Sequence, residues 1–139
     1  MKVAVKYLLD TNICIYAMNR SSRSVMQKML DVGQDALCIS SMVAAELAFG
    51  VARSDKAYRA KNKSSLQGFM ASIEVLPWTH AAMWHFGEHR QRLKLAGQSI
   101  GEIDLLIGAQ GLASDLVVVT NNLREFERIE GLKLENWAL

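Results

Sequence analysis

Five short apolar runs, separated by stretches of helical character, constrain this chain more than any other feature. They occupy residues 3–9, 36–39, 73–76, 116–119 and 132–134. Their apolarity is mostly continuous instead of alternating, which marks strands buried on both faces. Helices are expected between them. Asp10-Thr11-Asn12 offers capping chemistry for the first, and Gly33 stops one over residues 24–32. Ser40 and Ser41 can cap a third, running to about Arg53, and another is expected over 58–72. Pro77 ends the third strand and Thr79 caps a helix over 80–96. A helix over 102–113 and a short piece around Glu125 complete the order. Strand, helix, strand in this rhythm predicts an α/β fold with a parallel sheet joined by right-handed crossovers. Sites in such sheets form beyond the carboxyl ends of the strands. That rule directs attention to Asp10, the Ser40 region, Pro77-Trp78 and Thr120-Asn121-Asn122.

The 139 residues are expected to form one domain, residues 1–139. Half of them are apolar and 22% are charged, which argues against disorder. A net charge of +2 does not by itself announce nucleic-acid binding. Cys14 and Cys38 lie inside apolar runs without metal or redox spacing and read as buried thiols of a reducing compartment. Asp10 interrupts the N-terminal apolar stretch, no small-residue cleavage site follows, and no window has transmembrane length. The expected location is the cytoplasm.

Three acids stand out by their surroundings. Asp10 directly follows the first strand, where a helix N-cap is the plain alternative. Glu46 lies among Met42, Val43, Phe49 and Gly50 at the helical pairing positions, so no local salt bridge accounts for it. Asp104 has Ile100, Gly101, Ile107 and Gly108 around it, with a favourable first-turn acid as the alternative. Carboxylates entering apolar surroundings need partners, because buried charge is costly. One divalent cation would satisfy all three. Oxygen ligands without cysteine or histidine suit magnesium or manganese better than zinc. Such an ion activates water and stabilises charge on a phosphoryl group.

Leu8-Leu9-Asp10-Thr11-Asn12, the segment 40–50 ending Glu-Leu-Ala-Phe-Gly, the segment 101–109 around Asp104, and 118–126 (Val-Val-Thr-Asn-Asn-Leu-Arg-Glu-Phe) occur in the order of the motifs of VapC-type PIN toxins. The chain resembles that family over nearly its whole length. The resemblance implies a PIN domain, a five-stranded parallel sheet flanked by helices on both faces. It implies a magnesium- or manganese-dependent endoribonuclease with Asp10, Glu46 and Asp104 as catalytic acids around one or two ions. Asp10 and Asp104 would ligate directly, Glu46 through water, and Asn122 weakly, where many relatives carry aspartate. Thr11, Asn12 and Thr120 would support them. Glu102 stands where relatives commonly have another residue and is expected only to start its helix. The implied setting is a type II toxin–antitoxin pair. Its substrate would be structured RNA, in the nearest subgroup tRNA cut in the anticodon loop, with initiator tRNA first among candidates. Its partners would be a VapB-type antitoxin, operator DNA reached only through that antitoxin, and a second copy of the chain.

Arg53, Lys56, Arg59, Lys61 and Lys63 cluster with only Asp55 against them. They read either as a solvated face or as one wall of an RNA groove, with Tyr58 available to stack on a base. Trp78, Trp84, Phe86, Met70 and Met83 are expected in the core or in a subunit interface. His85-Phe86-Gly87-Glu88-His89 matches a zinc-protease pattern, but two arginines follow closely and no third ligand is evident. Two rivals remain at this stage. A haloacid-dehalogenase-like phosphohydrolase also places aspartate after the first strand, but its general acid two residues on would be Asn12 here. A catalytically inactive PIN-like module that binds RNA or antitoxin takes its support from Asn122.

Overall fold

The computed structural model describes residues 4–139 of the chain. Those residues form the strands β1 (Tyr7–Leu9), β2 (Leu37–Ser40), β3 (Glu74–Leu76), β4 (Val117–Val119) and β5 (Leu134–Glu135). All are parallel, in the order β3-β2-β1-β4-β5. The helices are α1 (Thr11–Asn19), α2 (Arg23–Val32), α3 (Ser41–Ala52), α4 (Lys56–Ser72), α5 (Met83–Leu95), α6 (Glu102–Ala113) and α7 (Leu123–Phe126). The start of the first expected strand, residue 3, lies outside the described residues. Leu8, Leu9, Ile39, Val118 and Val119 are fully buried, as continuous apolarity requires of a sheet covered on both faces. Each such side chain stabilises the fold by roughly 1.5–3 kcal/mol relative to exposure.

Short polar side chains at the ends of strands and loops set the helix starts. Asp10 Oδ1 accepts from Ile13 N at 3.0 Å, Ser40 Oγ from Met42 N at 3.0 Å, and Asp55 Oδ1 from Ala57 N at 3.1 Å. The Asp55 cap explains why α4 begins two residues before the expected start. The helix expected from residue 80 opens instead as a 3-10 turn, His80–Ala82. Thr79 Oγ1 takes the Ala81 N–H and Thr79 O the Ala82 N–H, so the first turn is tightened. The last strand is shifted by the turn around Gly131, whose φ is 84°. Leu132 N bonds to Ile129 O, and pairing resumes with Leu134 opposite Val118.

Two features of this frame position the site. The strand order reverses between β1 and β4, so a crevice opens beyond their carboxyl ends. Helix α6 lies close against β4 and against Ile129, beyond α7, because it carries glycines at both contacts. A Cβ on Gly111 would stand 2.9 Å from Val118 Cγ2, and one on Gly108 2.3 Å from Ile129 Cδ1. The start of α6 is thereby fixed at the crevice.

Cys14 and Cys38 are buried free thiols, and burial pushes Cys38 up to about 12 and Cys14 well up also, so both are unreactive. Phe86 and Met70 pack partly buried against the core, and Trp78 donates its indole N–H to Leu106 O at 2.8 Å. Trp84 and Met83 depart from a core placement: Trp84 is 69% exposed and Met83 is also exposed, on the outer side of α5. Among the described residues no helix is long and apolar enough to cross a membrane.

Candidate active site

Asp10 is the residue at which β1 ends and α1 begins, and it does two jobs there. Its Oδ1 caps α1 through Ile13 N, while its Oδ2 accepts the Thr120 hydroxyl at 2.5 Å. Thr120 directly follows β4, whose Val119 pairs with Leu9 of β1, so sheet register alone brings the two together. Thr120 Oγ1 also accepts the Asn122 N–H at 2.9 Å. Glu46 reaches the same crevice from α3, and its Oε1 accepts the Thr11 hydroxyl at 2.5 Å. Asp104, in the first turn of α6, receives Asn122 Nδ2 on its Oδ2 at 3.3 Å. Asp10, Thr11, Asn12, Glu46, Asp104 and Asn122 all line one cleft of about 700 Å³.

None of these acids is ion-paired: among the described residues the ion pairs are Arg90–Glu102 and Lys133–Asp115, both outside the cleft, and Arg53, which lines the cleft, pairs with neither Glu46 nor the aspartates. Burial holds Asp10 above the usual carboxylate range, despite the bonds from Thr120 and Ile13, and the Glu46 charge adds to the rise. Asp104 is pushed up to about 7, first by burial, then by a hydrogen bond and charge repulsion from Glu125, with Asp10 and Glu46 contributing. The crevice is thus a place where negative charge is held against its own repulsion. Its donors are oxygens, which suits a hard divalent cation. Among the described residues no three Asp, Glu, His or Cys side chains stand close enough to ligate one ion together. An ion here would take one or two carboxylates directly and reach the others through water.

Glu125 is a member of this group that the sequence did not reveal. Its Oε2 accepts Asn122 Nδ2 at 3.1 Å, so one amide group bridges Asp104 and Glu125. Flanked by Arg124, Glu127 and Arg128, it looks like one charge of a solvated helical turn. Only the fold shows it turned toward Asp104. The amide of Asn122 therefore spends its donor end on two acids instead of offering its oxygen alone.

Other sequence expectations are redistributed by the geometry. Of the basic cluster, Arg53 lines the cleft, whereas Lys56, Arg59, Lys61 and Lys63 are exposed outside its lining, as is Tyr58. Arg59 spends a guanidinium N–H on Ser54 O at 3.1 Å. Glu102 opens α6 and pairs with Arg90 at 2.6 Å, as a helix starter would. Ser40 is buried as the cap of α3, and Trp78 is tied to Ser41 and Leu106, so those strand ends add no chemistry. His89 Nδ1 lies 3.0 Å from the Arg92 guanidinium, unsuited to holding zinc. Asn12, at the position where an aspartyl-phosphate mechanism needs its general acid, lines the cleft as an amide that cannot fill that role.

Comparison with known proteins identifies the family and the fold. The PIN-domain family model matches residues 7–132. Ribonuclease VapC2 of Rickettsia felis is 40% identical over 132 residues, spanning 94% of this chain and 97% of that protein. The chain belongs to the VapC ribonucleases of the PIN-domain family. The tRNA(fMet)-specific endonuclease VapC of Shigella flexneri is 37% identical, covering 96% of this chain and 99% of that one. Among solved VapC structures, the DNA-bound VapBC of Salmonella typhimurium superposes with a TM-score of 0.87 at 35% identity, covering 96% of this chain and 98% of that chain. VapBC2 of R. felis, bound to a DNA fragment from its promoter, gives 0.86 at 38% identity, covering 96% and 99%. The five-stranded parallel sheet expected from the sequence is thus that of a VapC fold.

Proposed function

We propose that this VapC ribonuclease hydrolyses RNA with magnesium or manganese bound at the crevice of Asp10, Glu46, Asp104 and Glu125, one or two of these acids touching the ion and the others reaching it through water. One observation carries the reading: Asp10, Glu46 and Asp104 line a single crevice, Glu125 is joined to Asp104 through Asn122, and among the described residues none of the four is ion-paired to a basic side chain. A bound divalent ion supplies positive charge against the phosphoryl oxygens and acidifies a coordinated water. The remaining work falls to the chain. Thr120 and the Ile13 N–H hold the Asp10 carboxylate in one orientation, leaving a lone pair on each oxygen. Thr11 does the same for Glu46. Asn122 keeps Asp104 and Glu125 side by side and makes their joint negative charge tolerable. A bound cation would favour the charged form of Asp104, whose carboxyl is pushed up to about 7 by burial first and then by Glu125 beside it.

The substrate in this reading is tRNA, cut in the anticodon loop, with initiator tRNA the first to test; the name of the Shigella relative supports it. A VapB-like antitoxin covers the cleft and carries the pair to operator DNA, and a second copy of the chain completes a cytoplasmic toxin. The titles of the VapBC neighbours support the antitoxin. The exposed Met83 and Trp84 leave apolar area for a protein contact. The test is cleavage of tRNA by the purified protein in EDTA, and again after adding magnesium or manganese. Cleavage that survives EDTA overturns the metal assignment. Sequencing RNA ends after brief expression, wild type against Asp10→Ala, identifies the RNA and the bond.

A further inference from the structure

Phe49 is 64% exposed at the rim of the cleft, on the same helix as Glu46. Leaving a phenyl ring largely in water forgoes the gain of burying it, and the core does not ask for it, since α3 buries Val43 and Leu47 on another face. Arg53 places its guanidinium carbon 5.4 Å from the centre of the Phe49 ring and lines the cleft beside it. Between them stands Gly50, also in the cleft lining. Glycine within a helix is destabilising relative to alanine. Packing gives no reason for it here, because a Cβ at Gly50 would meet nothing within 4 Å. The helix leaves bare backbone next to an exposed ring, at the one wall of the cleft that also carries a cation.

Glu46, Phe49 and Arg53 follow one another at spacings of three and four, so they share a helix face. At 1.5 Å per residue the Cα atoms of Glu46 and Phe49 are about 4.5 Å apart along the axis, so the ring is on the turn next to the carboxylate. We propose that Phe49 is a specificity-determining platform on which an unpaired RNA base next to the cleaved phosphate stacks, with Gly50 leaving room for it and Arg53 steadying the ring and the adjoining phosphate. A base inside a duplex already has neighbours on both faces and offers none to a protein ring. The platform therefore selects loops over paired RNA. Asn12 and Asn62, which line the same cleft, are amides of the kind that bond to base edges.

The inference rests on the ribonuclease reading, and the experiment separates the two. Cleavage of a stem–loop RNA is measured for wild type, Phe49→Ala, Phe49→Trp and Gly50→Ala, with loop nucleotides replaced one at a time by abasic residues. Phe49→Ala is expected to lower kcat/KM about tenfold on the intact loop, and Phe49→Trp to stay within about threefold of wild type because any flat ring stacks. Gly50→Ala should melt at or above the wild-type temperature yet cleave more slowly, since its methyl group narrows the seat without harming the fold. One abasic position beside the cut should slow wild type by the same factor as Phe49→Ala, and the two changes together should cost no more than either. Undiminished cleavage by Phe49→Ala, or losses that multiply when the two are combined, overturns the platform. So does a Phe49→Ala protein that keeps full cleavage and loses only inhibition by its antitoxin, which would make the ring a protein-docking residue. A wild type that cuts no RNA overturns both this inference and the reading beneath it.

Discussion

Thr120 Oγ1 stands 2.5 Å from Asp10 Oδ2, although 110 positions separate the two in sequence. The hydroxyl is fully buried, donates to the acid and accepts from Asn122 N, so it ties the exit of β4 to the exit of β1. Thr120→Val keeps the shape and removes both bonds. It should cost about 1–3 kcal/mol of stability, because it leaves buried polar groups unmatched. It should also raise the manganese concentration needed for half-maximal cleavage several-fold, while Thr120→Ser restores it. Thermal unfolding and metal titration of the two variants check this.

Asp10 combines a helix cap with a place among the acids, so alanine and asparagine should separate the two roles. Asp10→Ala loses the cap and about 1 kcal/mol with it. Asp10→Asn keeps an acceptor for Ile13 N and removes a charge that burial disfavours, so the metal-free protein should melt no lower than wild type. Both variants should cut RNA at least about a hundredfold more slowly. Glu46→Gln and Asp104→Asn should behave like Asp10→Asn in cleavage and stability. Full activity in any two of the three carboxamide variants would discard the site.

Asp104 binds its proton more tightly folded than unfolded, with its pKa moved from 3.8 to about 7. The stability linked to that proton is complete below the unfolded value and is lost as pH rises through about 7. The metal-free protein should therefore melt at progressively lower temperature between about pH 4 and pH 7 on this account. Magnesium or manganese should oppose the fall, by binding the charged form. Calorimetry at pH 5, 6, 7 and 8 should show a stabilisation by metal that grows up to about pH 7 and then levels. A gap that is constant with pH would separate the acids from metal binding.

Asn122 donates from one nitrogen to both Asp104 and Glu125. Asn122→Asp replaces that donor with a further negative charge, so the metal-free protein should lose stability near neutral pH and gain more from added manganese than wild type does. Asn122→Ala should lower cleavage less than loss of an acid does. Glu125→Gln relieves the repulsion on Asp104 and should move the acid limb of the pH–rate profile to lower pH. An unmoved limb would mean that Glu125 has no part in the titration of Asp104.

Much of the fold is written locally. Continuous apolarity at Leu8-Leu9 and Val117-Val118-Val119 predicts strands buried on both faces, and capping side chains at Asp10 and Ser40 predict the helices after them. Glu46 and Asp104 could be singled out because nothing basic stands three or four residues away. Glu125 escaped for the opposite reason: its neighbours Arg124 and Arg128 supply an ordinary local account, and its turn toward Asp104 depends on where α6 meets the end of β4. Lys56, Lys61 and Lys63 show the limit from the other side. Their clustering is a property of sequence, whereas lining a cleft depends on which face of α4 the core claims. Arg53 alone of the cluster lines the cleft, because it directly follows α3 on the face that carries Glu46.

The reversal of strand order between β1 and β4 also has a consequence for synthesis. A ribosome delivers Asp10 and Glu46 early, but β1 is central to the sheet and its β4 side stays an open edge until residues 117–119 emerge. Thr120, Asn122 and Glu125 arrive only after that edge is filled, and Asp104 is held by a helix that needs β4 to pack on. A chain halted before residue 117 carries Asp10, Glu46 and at most Asp104, but lacks β4, Thr120, Asn122 and Glu125. The crevice is therefore completed only near the end of translation.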